Sequence, residues 1–535
     1  MNYNIKYKEI PSIEQYLIDC GIDCSFNDYF NPNEKLLDNC EDYLNMQEGY
    51  ELLKKNIGKK IYILQDSDCD GIFSSALAYK GLVHIGQPQE LITVLYHTNK
   101  AHGLTKEIAS QIENDCALLW IPDASAEDAS ICDKKDIDIL ITDHHQTTPV
   151  SSPRCMTINN QHSPIKNKSL CGTGVTYKFL EYYCKKEELD IPEEWITFVS
   201  IANIADVMSM TTGENRWFNY YGLSNLHNEF IKILCEKWIK DGIINPTSIS
   251  WNVTPKFNAV CRGDNQELKA RILNCLVAPD IGECLEVANL MTSEHRKQSN
   301  LVKNLAFKVL KTATVNDNIV FAVGETGNYS GLVANRIMSL TDKPTLMIHQ
   351  VGDYWTGSAR SPVPLRDLLN ESRLFDFNAG HDCSFGTKFA AANIPKIKEY
   401  CAALQFPTPE IFYHFTANNI PNWAFGFWDE YINLWGKGLE KPQFYIDKIK
   451  INSRDIQELG NATIKFMIGD ISFIKFFVSK ELKEKLYIRQ DKDIEIELVG
   501  SCVWNEYNGY RNKQVQIDKI EAHEPKELSW DELWE

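Results

Sequence analysis

Hydrophobic positions in the first third of the chain come in short unbroken runs. Residues 61–65, 91–96, 116–123 and 136–145 are each mostly apolar without alternation, the pattern of strands covered on both faces. Helical spacing lies between them, beginning at 72–83. Strand and helix alternate from residue 61 to about 185, which predicts an α/β domain built on a doubly wound parallel sheet. Cys171-Gly172-Thr173-Gly174-Val175 opens a further helix at 176–185, and residues 198–207 read as an apolar helix carrying one carboxylate, Asp206. From 226 to 315 the spacing is helical, and the periodicity of 272–310 breaks around Pro279-Asp280. A second α/β pattern follows, with apolar strands at 318–323 and 344–348. From 445 to 522 the period drops to two, with strands at 462–468, 473–478, 493–499 and 514–517. Short, regularly spaced strands predict a small barrel.

These shifts divide the 535 residues into a helical lead-in (1–55), an α/β domain (56–225), a helical connector (226–315), a second α/β domain (316–400), a linker or hinge (401–444), a β-barrel (445–522) and an acidic tail (523–535) holding Trp530 and Trp534. The net charge of −18 argues against nonspecific coating of nucleic acid by the whole surface, but leaves room for a local basic groove. Sixteen cysteines form no CxxC pair, so neither a zinc ribbon nor a thioredoxin-type site is indicated, and a reducing cytoplasm is expected. The first residues lack the apolar core of a signal peptide, and no run of about 18 apolar residues predicts a membrane span.

Chemistry collects at the ends of the predicted strands. The first run ends in Asp66, Asp68 and Asp70, followed by Gly71. If the chain stays extended, the three carboxylates share one face, and a hard divalent cation among them would relieve their repulsion. The run at 116–123 ends in Asp123, and that at 136–145 ends in Asp143-His144-His145. Carboxyl ends of strands are where open α/β sheets bind ligands. A buried carboxylate needs a partner, which adds Asp206 to the candidates. The glycines at 172 and 174 would let backbone N–H groups approach a phosphate, although close packing explains them equally well. The loop 97–103 carries His97, Lys100 and His102, facing either solvent or a substrate.

DxDxDG, the strand-end Asp, DHH and the helical Ala205-Asp206 are the four ordered motifs of the DHH phosphoesterase superfamily, which this chain resembles. Further matches resemble its RecJ-like branch: Ala205-Asp206-Val207 followed by Gly213-Glu214-Asn215-Arg216, and Pro255 to Arg262 as P-x-x-NA-x-GR with Cys261 replacing a glycine. Asn328 to Ile337, Gly357-Ser358-Ala359-Arg360-Ser361 and Ala379-Gly380-His381 resemble the DHH-associated domain. Trp435 to Phe444 resembles the family's hinge, and Asn505 to Gln514 the end of its OB fold. At 101–104 the chain has Ala-His-Gly-Leu where the family has GYGL, often preceded by an Arg that contributes to its 5′ grip.

The resemblance implies a 5′→3′ exonuclease hydrolysing single-stranded DNA at a centre of two Mn²⁺ ions, with Mg²⁺ an alternative. Asp123 would bridge the ions. Asp66 and Asp68 would bind one, and Asp70, His144 and Asp206 the other. Asp143 would orient a ligand histidine, and His145 would contact the phosphate or leaving oxygen. Arg262, Ser358, Arg360, His381 and Asn258 would hold the terminal phosphate. GSxRS would set a guanidinium and a hydroxyl beside a tight glycine turn, with His381 in a glycine-flanked turn. On the barrel, Lys475, Trp504, Tyr507 and Arg511 are candidates for single-strand binding. A monomer is expected, with a single-strand-binding protein or helicase as partner and no membrane attachment. Two rivals are a phosphodiesterase for short oligonucleotides or cyclic dinucleotides, and a silent DHH scaffold binding replication proteins. The barrel argues against the first, and the full set of acidic and imidazole residues against the second.

Overall fold

The computed structural model describes residues 3–98, 101–124, 137–146, 152–316, 318–406, 408–460, 463–507 and 510–523. Lys100, Asp136, the acidic tail beyond His523 and the side chain of Tyr507 lie outside this set. The chain forms two compact units, one made of residues 13–299 with 433–440, the other of the described residues in 3–12, 300–432 and 441–523.

The first unit is built on five parallel strands: β1 (Ile61–Gln65), β2 (Ile92–Tyr96), β3 (Leu118–Pro122), β4 (Asp138–Asp143) and β5 (Cys155–Asn159), in the order β2-β1-β3-β4-β5. Every neighbouring pair is parallel. This is the order of a doubly wound sheet, whose direction of growth reverses between β1 and β3. Strand alternation sorts the apolar runs to two cores. Ile61, Ile63, Leu118, Trp120 and Leu140 enter one, while Tyr62, Leu64, Leu119, Ile121, Ile139 and Ile141 enter the other. Unbroken apolar sequence is therefore what the geometry requires, because both faces are covered.

On the first face pack α1 (Cys69–His84), α2 (Gly172–Lys186), α3 (Glu194–Ala205) and α4 (Gly213–Ser224). The helical residues beyond 226 form Glu229–Trp238, Pro246–Asn252, Thr254–Cys261, Gln266–Val277 and the long Ile281–Leu310. The break at Pro279-Asp280 falls between the last two. The lead-in is helical at Ile13–Asp19, Phe26–Phe30 and Met46–Lys54, but Asn4–Ile5 is a strand paired in parallel with Glu410–Ile411. Two residues are too few to carry a period, so local pattern holds no sign of that pairing.

In the second unit, β6 (Val320–Val323), α5 (Ser330–Thr341), β7 (Thr345–Val351), β8 (Tyr354–Arg360), β9 (Phe377–His381) and β10 (Ser384–Ala390) form an α/β layer with sheet order β9-β10-β8-β7-β6 and Thr314–Val315 at the edge. Gly357 to Arg360 of GSxRS lie inside strand β8 rather than in a turn, with Ser361 just after it. Gly357 has no room for a side chain, since a Cβ would come within 2.9 Å of Ile348 Cα on β7. His381 ends β9 rather than sitting in a glycine-flanked turn.

The C-terminal part is a seven-stranded sheet of β11 (Tyr413–Thr416), β12 (Phe444–Asn452), β13 (Gln457–Leu459), β14 (Thr463–Ile468), β15 (Ile471–Phe476), β16 (Asp493–Tyr507) and β17 (Tyr510–His523). Its order is β11-β12-β16-β17-β15-β14-β13. The last two strands run far beyond the short segments at 493–499 and 514–517, pairing antiparallel along their whole length. Among the described residues no helix is long and apolar enough to cross a membrane, and twelve of the sixteen cysteines are buried.

Candidate metal centre

Three strands of the first sheet, β1, β3 and β4, deliver acids at their carboxyl ends, and β1 and β3 flank the switch point. Asp66, Asp68 and Asp70 do not lie along one extended face as the alternation suggested. β1 stops at Gln65, and Asp68 is the N-cap of α1, its Oδ1 accepting from Gly71 N–H at 3.1 Å. Asp70 already sits in the first helical turn. A strong capping residue ends extended structure at that point. Gly71 is obligatory here, because a Cβ would lie 2.7 Å from the Asp66 backbone carbonyl carbon and oxygen.

Asp70 is held by the start of α2. Its Oδ2 accepts from Gly172 N–H at 2.7 Å, and its Oδ1 from Thr173 N–H at 2.9 Å and Thr173 Oγ1 at 2.6 Å. The helix start that could have cradled a phosphate is used on a carboxylate of the protein itself, and the positive helix end favours that charge. Asp123 follows β3 with a left-handed φ of 67°, a conformation aspartate tolerates better than most residues. Asp206 is not within a helix as expected. α3 ends at Ala205 and Asp206 is its C-cap, with 27% of the side chain exposed.

Three overlapping groups of ligand atoms result here, each within 4.8 Å: Asp66, Asp68 and Asp123; Asp70, His144 and Asp206; and Asp123, Asp143, His144 and His145. His144 Nε2 links them, 3.2 Å from Asp123 Oδ1, 3.5 Å from Asp206 Oδ2 and 3.8 Å from Asp70 Oδ2. Asp123 is buried and its Oδ1 has no hydrogen-bond donor. Burial, then the charges of Asp70, Asp68, Asp66 and Asp206, push the Asp123 carboxyl well above the usual range. Burial and the charges of Asp70 and Asp68 do the same to Asp206. Burial, then His145, holds the His144 imidazole below its ordinary value. Crowded carboxylates with an orphaned oxygen and a neutral imidazole are a donor set that fits divalent cations such as Mn²⁺ or Mg²⁺.

Asp143 makes no hydrogen bond to His144's ring, although the two lie in one group of ligand atoms within 4.8 Å. Its Oδ1 accepts from the N–H of His144 at 2.8 Å and from His145 Nδ1 at 2.8 Å, so it orients His145 instead. A carboxylate at i−2 reaches the ring whose backbone it also caps. Burial opposes charge on His145, but the hydrogen bond and charge of Asp143 outweigh it and raise the imidazole to about 10. Asp143 is lowered, the bond from His145 overcoming its burial.

Of the expected phosphate contacts, Asn258 accepts with its Oδ1 from Cys69 N–H at 3.0 Å, which ties the connector to the start of α1 and leaves the Nδ2 donors out of that bond. Arg262, the C-cap of helix Thr254–Cys261, has a buried Nε without an acceptor, and its charge offsets a small part of the upward shift of Asp206. In the second unit, Ser358 and Arg360 share one face of β8, across from the start of α5. Ser358 Oγ lies 2.8 Å from Ser330 Oγ, and a Cβ at Gly331 would meet Arg360 Nη2 at 2.5 Å. His381 is exposed. On the C-terminal sheet, Lys475 Nζ donates to Asp518 O at 2.9 Å, and burial lowers its pKa. The Arg511 guanidinium lies 4.7 Å over the Trp504 ring, which also packs 5.8 Å from Phe425.

Sequence reasoning missed His102 as part of this site. Its Nδ1 is 2.6 Å from Asp66 Oδ2. Its place in a loop of alternating character offered no period by which to orient it.

This sheet and this cluster define a DHH-type phosphoesterase domain, and residues 60–202 match the DHH family, N-terminal domain. Residues 428–519 match the RecJ OB domain. A SPbeta prophage-derived protein of Bacillus subtilis (strain 168), named as a single-strand DNA-specific exonuclease, is 24% identical over 518 residues, 88% of this chain and 89% of its own length. The single-stranded-DNA-specific exonuclease RecJ of Haemophilus influenzae is 24% identical over 559 residues, 94% of this chain and 93% of its own. The crystal structure of RecJ from Thermus thermophilus superposes with a TM-score of 0.74 at 19% identity, covering 98% of this chain and 80% of that one. The chain thus carries a DHH-family N-terminal domain and a RecJ-type OB domain, and is similar to RecJ proteins over most of its length.

Proposed function

We propose that this chain is a metal-dependent exonuclease that hydrolyses the phosphodiester bonds of single-stranded DNA from the 5′ end. The observation that carries the reading is Asp123 Oδ1, a buried carboxylate oxygen with no donor, set among five further metal-type ligands. Similarity to exonucleases of that name supports the substrate class, and the OB domain supports contact with a strand longer than a few nucleotides.

Asp66, Asp68 and Asp123 would hold one ion, and Asp70, His144 and Asp206, with Asp123 shared, a second. The Thermus protein has been solved with Mn²⁺ and with Mg²⁺. When bound, such ions lower the pKa of water and neutralise charge on phosphoryl oxygens. The protein's own groups do the rest. The start of α2 fixes both oxygens of Asp70. Asp143 keeps His145 charged at neutral pH, so this exposed imidazolium can donate to a phosphate or leaving oxygen. Arg262 offers its unpaired Nε to an anion. Ser358 and Arg360, with Ser330 beside them, present a hydroxyl and guanidinium suited to a terminal phosphate, and His381 is proposed as a further phosphate contact. Trp504 and Arg511 are proposed to contact the strand.

The test uses 5′- and 3′-labelled single-stranded DNA with Mn²⁺. Mononucleotides should leave from the 5′ end, Asp123→Ala should abolish their release, and Arg360→Ala should raise KM for 5′-phosphorylated strands without altering Mn²⁺ binding. Survival of long strands while oligomers of a few residues are cut would refute the proposal.

A further inference from the structure

The loop at residues 101–103 is fastened to the turn that carries Asp66 by four hydrogen bonds. Ser67 Oγ donates to Ala101 O at 2.6 Å and accepts from Ala101 N–H at 3.3 Å. Asp66 Oδ1 accepts from Gly103 N–H at 3.3 Å, and Asp66 Oδ2 from His102 Nδ1 at 2.6 Å. An ionised carboxylate can only accept, so Nδ1 carries the proton in this pair. The Asp66 side chain is 1% exposed and that of His102 55% exposed, so the imidazole braces the carboxylate from the solvent side. Each Asp66 oxygen thus has one donor on the loop side, while its ligand atom stays within 4.8 Å of those of Asp68 and Asp123.

We propose that His102 is a positioning residue for Asp66, fixing the rotation of that carboxylate so that it meets a divalent cation in one orientation. The chemistry is that of a hydrogen-bond partner behind a metal ligand, whose removal weakens binding of the metal about 10- to 100-fold. The brace belongs to this chain's Ala-His-Gly-Leu loop. The backbone N–H of Gly103 alone could not replace it, because one donor at 3.3 Å leaves the carboxylate free to turn. The inference rests on the reading of Asp66 as a metal ligand.

The experiment is a Mn²⁺ titration of the full chain, following free Mn²⁺ by electron paramagnetic resonance, with thermal melting in parallel. His102→Ala should weaken Mn²⁺ binding about 10- to 100-fold, and saturating Mn²⁺ should restore most of the hydrolysis. His102→Asn places an amide N–H where Nδ1–H stood and should recover most of the affinity. Unchanged affinity in His102→Ala overturns the proposal, as does a His102→Asn variant as weak as His102→Ala. Asp66→Asn separates the two readings. If it leaves Mn²⁺ binding intact, Asp66 is not a ligand. If it weakens binding while His102→Ala does not, only the positioning role fails.

Discussion

Gly172 is where a single methyl group should do most damage to the metal centre. A Cβ there would lie 2.6 Å from Asp123 Cβ, 2.7 Å from its Cγ and closer still to Oδ1. Ordinary carbon contacts begin near about 3.5 Å, so Gly172→Ala must push the Asp123 side chain and α2 apart by on the order of 1 Å. Neither can yield cheaply. Asp123 is buried, with its backbone in the left-handed region, and α2 lies in the main core through Val175, Phe179 and Leu180. The substitution keeps the N–H that holds Asp70, so the direct clash is with Asp123. Overpacking costs about 1–3 kcal/mol of stability. A misplacement of about 1 Å at a reacting centre costs about 10²-fold in rate, equivalent to about 2.7 kcal/mol of barrier. Gly174→Ala is the control. The atoms nearest its Cβ would be Leu170 side-chain carbons, at 2.5–3.0 Å, so it should cost stability without a comparable loss of kcat per folded molecule. The assays are thermal melting, Mn²⁺ titration and single-turnover hydrolysis of labelled single strands. Wild-type kcat in folded Gly172→Ala protein would refute the reasoning, showing that α2 shifts and the carboxylate does not.

Two further outcomes follow from buried charge. Lys178 is 0% exposed, with Nζ 2.8 Å from Glu214 Oε1 and donating to Asp38 O at 2.7 Å. Lys178→Met should cost about 3–5 kcal/mol, because it strands a buried carboxylate, and adding Glu214→Gln should recover part of that in calorimetric unfolding; an unchanged melting temperature would contradict the account. The second outcome concerns pH. Asp123 and Asp206 have raised folded-state values, so the native metal-free protein keeps protons that the unfolded chain has already released. His145, raised to about 10, likewise contributes stability that is lost as pH rises above its unfolded value. His144 is lowered, so it is neutral in both states above about pH 7.5 and adds no slope there. The melting temperature of EDTA-treated protein should therefore fall from about pH 7.5 to about 8.5, and Mn²⁺ should raise it more at the higher pH. A Mn²⁺ shift that shrinks with pH would be inconsistent with those signs.

Strand positions were legible because burial on both faces leaves sequence no choice but unbroken apolar runs. Ile61, Ile63 and Trp120 on one face, with Tyr62, Leu64 and Ile121 on the other, show that requirement directly. Their ends were less so. A capping residue decides where a strand stops and a helix starts, and Asp68 reads as well as one of three alternating ligands as it does as an N-cap. The long hairpin at β16 and β17 was read short, since polar residues on an exposed face obscure a period-two signal. The pairing of Asn4–Ile5 with Glu410–Ile411 joins segments some four hundred residues apart, where local pattern is silent.

The acids of the centre were visible because strand-end aspartates cannot be explained by packing. The groups that hold them were hidden, because a supporting hydrogen bond can come from any backbone N–H. Asp70 is held chiefly by Gly172 and Thr173, a hundred residues away in sequence. Asp66 is braced by His102 through a loop without period. Asn258, read as a phosphate contact, spends its carbonyl on the first turn of α1. The spacing of ligands on strands constrains their identity, whereas their orientation depends on which loop or helix start happens to reach them. That second layer sets whether six acidic and imidazole groups act as a metal centre or merely repel one another, and for Asp123 it takes the form of a helix start that leaves no room for a side chain at Gly172.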